Sequence, residues 1–274
     1  MKKQWINFGF TLEGDNNASD KSDANAILVD PLFRAAKNND VESAKKLWQR
    51  EWDRNSQGNF KKLLSAVGDS QDVVFITVPG TSRRNRIPLA AAEFMTNQLG
   101  DRARFINGDR AFMPIHTSMM KSFPRQERVF HPRVFETHHS VIRAIHESCP
   151  HAHFFVVEDL LTTGNSAHSF QRFLEKNDIP IRGVIAMKGD YEPNVHPNLT
   201  KKIDVFFKKN NISINAEKLS KELTGKEAQT IAFQISALFK NSDEEHQQLF
   251  RDLFQGLYEI RVNGNTDFLP KMDE

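Results

Sequence analysis

Residues 153–170 read HFFVVEDLLTTGNSAHSF. The stretch opens as an apolar, strand-favouring run at 153–157 and closes on a helical apolar pattern from Ser166. Between them stand two adjacent carboxylates, Glu158 and Asp159, then Thr162, Thr163, Gly164 and Asn165. An apolar run with no polar alternation, followed by a turn and a helix, is what a central strand of a parallel sheet needs, because both of its faces are covered. The same texture recurs in VVFITV at 73–78, ARFIN at 103–107, GVIAM at 183–187 and IDVFF at 203–207. Helical patterns at 89–99, 134–147 and 166–176 separate these runs and supply the crossovers. The reading is an α/β fold, a parallel sheet of about five strands flanked by helices, with helical additions at both ends of the chain.

Four segments follow from the changes in texture: a flexible N-terminal segment at 1–28, a helical segment at 29–69, the α/β core at 70–210 and a helical C-terminal segment at 211–274. Residues 14–25, GDNNASDKSDAN, are polar, small and without period. Pro31 suits a first helical turn and Asp40 an N-cap, after which Val41, Ala44, Leu47, Trp48 and Trp52 share one helix face. Aromatics at that spacing are read as packing rather than as a ligand platform. Thr224 with Glu227, and Ser242 with Glu245, each match the capping box that opens a helix. The apolar stripes that follow, including Phe233, Leu238, Phe239, Leu249, Phe250, Leu253, Phe254 and Leu257, need cover either from the core or from a second subunit in a homodimer, and the sequence does not choose between them.

The 274 residues, 39% of them hydrophobic, suffice for a sizeable core. A single cysteine, Cys149, excludes an intramolecular disulfide framework, and the N-terminal apolar run is too short and interrupted for a signal peptide, so the expected compartment is the cytoplasm. No run approaches the roughly 18 apolar residues of a membrane span. With 37 basic against 35 acidic side chains, a general nucleic-acid binder is disfavoured. The basic residues are nevertheless concentrated: residues 81–133 hold ten Lys and Arg against four Asp and Glu. No GxGxxG follows a strand, and TGKEA at 224–228 lacks both the first Gly and the Ser/Thr of a phosphate-binding P-loop. Cys149, His151 and His153 share a turn and strand entry, but no paired ligand spacing elsewhere completes a metal site.

Ligands of parallel α/β sheets bind beyond the carboxyl ends of the strands, which directs attention to the loops there. A helix N-terminus offers unpaired amides and partial positive charge, so Thr162, Thr163, Gly164, Asn165 and Ser166 can wrap a phosphate. Glu158 and Asp159 cannot bind that phosphate. They can accept hydrogen bonds from sugar hydroxyls one ribose length away, or help hold a divalent cation bridging them. An acid pair beside a phosphate cradle points to a ribose 5-phosphate.

VVEDLLTTGNS, residues 156–166, resembles the signature with which type I phosphoribosyltransferases bind 5-phosphoribosyl diphosphate (PRPP). The order Glu then Asp is most similar to the orotate phosphoribosyltransferase version, which usually has Gly where this chain has Asn165. The resemblance covers about half the chain and implies ribose hydroxyls on Glu158 and Asp159, which are also its expected catalytic pair, and the 5-phosphate on residues 162–166. TVPGTSRRNRIPLAAAEF, residues 77–94, resembles the pyrophosphate loop of the same family, with Ser82, Arg83, Arg84 and Arg86 facing the leaving group. Residues 113–133 stand where the family has a flexible closing loop, with Lys121, Arg125 and Arg128 as candidates to reach the pyrophosphate. Lys188 and Tyr191 occupy the position of the family's base contact; Tyr191 either stacks on a ring or belongs to an ordinary turn. The resemblance implies Mg²⁺, carried through PRPP near Glu158 and Asp159 rather than ligated directly. The expected activity is transfer of 5-phosphoribosyl to a nitrogenous base with release of pyrophosphate. The alternative is a non-catalytic PRPP- or nucleotide-sensing regulator with the same fold.

Overall fold

A computed structural model describes residues 4–8, 30–70, 72–80, 82–115, 127–161, 164–189 and 192–268. The chain divides into two compact units. One comprises Met1–Pro114, Phe135–Leu161 and Gln171–Gly189; the other comprises Ile115–Val134, Thr162–Phe170 and Asp190–Glu274.

The first unit contains a five-stranded sheet built from β1 (Gln4–Asn7), β2 (Val73–Thr77), β3 (Ala103–Ile106), β6 (His153–Leu161) and β7 (Ile181–Gly189). Two shorter strands, β4 (Met113–Ile115) and β5 (Val134–Glu136), form a separate pair. The spatial order in the large sheet is β1-β7-β6-β2-β3, and every pairing is parallel. β2 is buried along its whole length, as its VVFIT sequence predicts. β3 is an edge strand and exposes Arg104 and Phe105.

Four of the five expected strands are present. The fifth is not: IDVFF lies in a helix, Pro197–Lys209, and the place of a fifth strand is taken by β1. In that helix Ile203, Phe206 and Phe207 are buried at i, i+3 and i+4, so an apolar run read as period two belongs to period 3.6. β1 also corrects the reading of residues 1–28 as a flexible segment throughout, since Gln4–Asn7 pair with residues 183–186.

Helices α1 (Pro31–Lys37), α2 (Val41–Asp53), α3 (Ser56–Val67) and α4 (Ile87–Leu99) cover one side of the core. Asp30 caps α1 and Asp40 caps α2, each carboxylate accepting backbone N–H bonds of the first turn. Trp48 and Trp52 are core residues. Trp48 Nε1 donates to the Ile87 carbonyl at 3.2 Å, and the Trp52 ring lies 5.1 Å from that of Phe94. A one-turn helix, α5 (Gly108–Ala111), follows β3. The helix expected at 134–147 is divided into β5 and α6 (His139–Ser148), with His138 as its N-cap. α7 (Asn165–Lys176) follows β6, as expected.

The second unit is helical: α8 (Pro197–Lys209), α9 (Ala216–Lys221), α10 (Gly225–Gln229), α11 (Ser236–Asn241) and α12 (Glu244–Tyr258), with π-helical turns at Thr230–Ile235 and Glu259–Asn263. Its core is aromatic, with the Phe254 ring 4.9 Å from those of Phe207 and Phe130. Thr224 and Glu227 form the expected capping box. The other helix opens one residue later than expected, on Asp243 rather than Ser242. Phe233, Leu238 and Leu249 remain exposed, while Phe239, Phe254 and Leu257 are buried. Among the described residues, no helix is long and apolar enough to cross a membrane.

Candidate functional site

The strand order of the first unit contains one reversal. From β2 the chain passes through α4 to β3 on one side, and later returns to place β6 on the other side of β2. The gap between the carboxyl ends of β2 and β6 is therefore the switch point at which open parallel sheets bind ligands. The last paired residues there are Thr77 and Val157, with Val78 N–H donating to the Val157 carbonyl at 3.0 Å. Immediately past them come the arginine loop on one strand and the Glu158–Asp159 pair on the other.

The turn after β2 is braced from three sides. Gly80 N–H donates to Asp109 Oδ1 at 2.7 Å, and Gly108 N–H donates to Thr77 Oγ1 at 2.8 Å. Gly108 packs so closely that an added Cβ would stand 1.9 Å from the Thr77 carbonyl oxygen, so no other residue fits there. Arg83 holds a left-handed backbone, φ 49°, and its N–H closes a turn on the Gly80 carbonyl at 3.3 Å. The third brace is the end of α1: Asn39 N–H donates to the Arg84 carbonyl at 2.8 Å, and Arg86 N–H donates to the Ala36 carbonyl at 3.0 Å.

Ser82, Arg83 and Arg84 are exposed on this turn. Arg86 is half-buried, and its Nε donates to Asn39 Oδ1 at 2.6 Å, so part of this guanidinium holds the loop to α1. Such a turn presents cations on a fixed backbone, the arrangement that charge-assisted binding of a multiply charged anion requires.

Glu158 is half-buried, while Asp159 is only 3% exposed. Glu158 Oε1 accepts from Asp159 N–H at 3.1 Å. Asp159 Oδ2 accepts from Asn85 Nδ2 at 3.1 Å and forms an ion pair with Lys37 Nζ at the end of α1. Burial alone would raise this carboxyl group; the Lys37 ammonium, the side-chain hydrogen bonds shared with Glu158 and Lys37, and the Leu160 N–H outweigh it and hold Asp159 well below the usual carboxylate range. The arginine loop and the acid pair are thus brought together through Asn85. Lys188, half-buried on β7, stands in register with Leu160, next to the acid-bearing strand.

In the second unit, Gly164 has φ 75° and its carbonyl accepts from His168 N–H at 2.8 Å, which makes it the entry residue of α7. Ser166 is half-buried in the first turn. Asn165 is buried, and its carboxamide serves structure: Oδ1 accepts from Ser169 Oγ at 3.1 Å and from Arg261 Nη2 at 3.2 Å, while Nδ2 donates to the Arg128 carbonyl at 3.4 Å. Arg261 also meets Glu227 Oε1 at 2.8 Å and the Glu222 carbonyl at 2.8 Å. The Asn165 side chain thus joins a buried polar network with the capping-box glutamate, a structural task that a glycine could not perform. Arg128 lies half-buried in a short 3₁₀ turn, Glu127–Phe130. Thr162, Thr163, Lys121, Arg125 and Tyr191 lie outside the described residues.

Lys37, Asn85, Asp109 and Arg261 carry no sequence signal of their own. A lysine ending a helix reads as a solvated C-terminal charge, and an asparagine among arginines reads as turn chemistry. Comparison of the chain with protein-family models, with curated proteins and with solved structures finds no match.

Proposed function

We propose that the chain binds PRPP at the carboxyl ends of β2 and β6 and transfers its 5-phosphoribosyl group to a nitrogenous base, releasing pyrophosphate. The observation that carries this reading is the 3.1 Å hydrogen bond from Asn85 to Asp159 at the switch point of a parallel sheet, since it joins an arginine-bearing turn to the Glu158–Asp159 pair. That combination matches a ligand with pyrophosphate on one side of a ribose. The 5-phosphate is assigned to residues 162–166 from the sequence resemblance.

In the reaction the bond from C1 to the pyrophosphate oxygen breaks, the electron pair leaves with pyrophosphate, a base nitrogen lone pair forms the new bond to C1, and the proton which that nitrogen carried is released to water. Charge develops in two places. Arg83, Arg84 and the remaining donors of Arg86 stabilise the departing anion, and the Glu158–Asp159 carboxylates stabilise the cationic ribose, electrostatic terms that are largest in a site with little water. Mg²⁺, which the resemblance implies, does not fit as a direct ligand of Asp159, because the groups meeting that carboxylate include Lys37 Nζ and Asn85 Nδ2, both hydrogen donors.

A second reading, a PRPP-responsive regulator without transfer activity, is favoured by one feature. Lys37 reaches Asp159 from a helix outside the sheet, so ligand arrival at the acid pair is felt by α1. Pyrophosphate release measured with PRPP and a panel of purines, pyrimidines and orotate separates the two. Release with one acceptor supports the transferase; PRPP binding with release for none supports the regulator; no PRPP binding contradicts both.

A further inference from the structure

A PRPP site by itself does not explain the ion pair between the half-buried Lys37 and the buried Asp159. Asp159 lies under the end of α1 at 3% exposure, and a carboxylate withdrawn that far from water requires a compensating charge. We propose that Lys37 is the resident counter-ion of Asp159, standing where a metal ion would otherwise stand, and that it is a positioning residue which keeps this carboxylate ionised and aimed at ligand hydroxyls. The proposal rests on the PRPP reading for the identity of the ligand, but not for the pairing itself.

Three observations support it. First, the contacts on Asp159 are dominated by hydrogen donors: Lys37 Nζ and Asn85 Nδ2 on Oδ2, with further hydrogen bonds involving the Leu160 N–H and the Glu158 side chain. The Asn85 amide orientation is fixed independently, because its Oδ1 accepts from Ile87 N–H at 3.2 Å. Mg²⁺ requires an octahedron of oxygens and would meet N–H groups here.

Second, the lysine backbone is anchored from both ends of its helix. At the start of α1 the fully buried Asp30 accepts from Leu32 N–H, from Phe33 N–H and from Arg50 Nη2 at 2.5 Å. At its end the Asn39 and Arg86 backbone bonds tie it to the arginine turn. A surface lysine with no task does not need its helix held this way. Third, the Lys37 side chain is 32% exposed and its Nζ lies 5.5 Å from the Phe33 ring centroid, so the ammonium sits at the boundary of the core, within reach of an arriving ligand.

The test combines a metal measurement with chemical rescue. Mn²⁺ is titrated into the wild-type protein and Asp159→Asn without PRPP, with bound ion read by electron paramagnetic resonance. The expected result is no site that Asp159→Asn removes; an Asp159-dependent Mn²⁺ site in the wild type overturns the proposal. Lys37→Ala is then melted in ethylammonium chloride and in tetramethylammonium chloride at equal ionic strength, with Lys37→Arg as the conservative variant. Ethylammonium and the arginine are expected to restore thermal stability, and tetramethylammonium, which has no N–H, is not; equal effects of the two salts contradict the pairing. PRPP affinity is expected to fall roughly ten- to hundredfold in Lys37→Ala, as for a lost charged hydrogen bond, and to recover with ethylammonium. If the wild type fails to bind PRPP, the ligand reading is wrong, while the manganese and rescue measurements still decide the role of Lys37.

Discussion

Asn85 Nδ2 donates to Asp159 Oδ2 at 3.1 Å across 74 residues of sequence. The bond connects the turn after one central strand to the end of its neighbour, and the same asparagine turns its carbonyl to Ile87 N–H, the first residue of α4. One amide therefore orients a buried carboxylate and shapes the entry of a helix. It makes the arginine turn and the acid pair parts of one structure.

Replacing Asn85 tests that connection. Asn85→Ala removes both bonds and is expected to cost about 1–3 kcal/mol, by the desolvation of groups left without partners. Asn85→Asp keeps the shape but sets a second carboxylate against Asp159, and is expected to cost more at pH 7 than at pH 4. Urea unfolding of the two variants at both pH values checks the order.

Gly108 is fixed by steric contact rather than by turn geometry. A Cβ there would lie 1.9 Å from the Thr77 carbonyl oxygen, so Gly108→Ala must push the end of β2 away from α5 and lose the 2.8 Å bond to Thr77 Oγ1. A loss of about 3 kcal/mol or more is expected, at the upper end for overpacking a close contact. Gly80→Ala is the control: its nearest neighbour would lie 3.8 Å away, and it should cost far less. Thermal denaturation of the pair reads the difference.

The Asn165–Arg261–Glu227 network makes an opposite prediction for stability and binding. Arg261→Met leaves the buried Glu227 carboxylate without its cation and is expected to cost about 3–5 kcal/mol. Asn165→Gly restores the residue usual in the phosphate loop it resembles and removes only the carboxamide bonds, at about 1–2 kcal/mol. Its PRPP affinity is expected to remain within about threefold of the wild type, because the glycine keeps the backbone amide. Calorimetric melts and PRPP titrations of Asn165→Gly check both halves.

The acid limb of stability follows from Asp159. Its folded-state pKa is lowered from 3.8 to about 2, so the stabilisation from its ionisation is complete at pH values above 3.8 and is lost as pH falls towards 2. In Lys37→Met, burial without the ammonium raises that pKa, and acid destabilisation should begin at a higher pH than in the wild type. Urea midpoints from pH 2 to 7 for both proteins measure the displacement; coincident curves contradict the pairing.

Much of the sheet was legible because central parallel strands announce themselves: VVFITV, HFFVV and GVIAM have no polar alternation to confuse with a helix. IDVFF was misread because a short apolar run carries no period of its own, and Asp204 and the exposed Val205 fit an outward helix face as readily as a strand. β1 was missed since four residues, QWIN, acquire their strand identity only from pairing with β7. At the candidate site, the arginine turn and acid pair were visible as local clusters of charge. Lys37, Asn85 and Arg261 were not, because each acts on a partner far along the chain and only folding supplies that partner. Asn165 stood out against the signature the loop resembles, and its bond to Arg261 shows what the side chain does in the fold.

Isothermal titration of PRPP into the wild-type protein and into Asp159→Asn tests the central claim most directly. The wild type is predicted to bind at one site per chain, and Asp159→Asn to bind at least roughly tenfold more weakly, as expected for a charged hydrogen bond to a ribose hydroxyl. Absence of binding by the folded wild type, or equal affinity in the two proteins, would contradict the account.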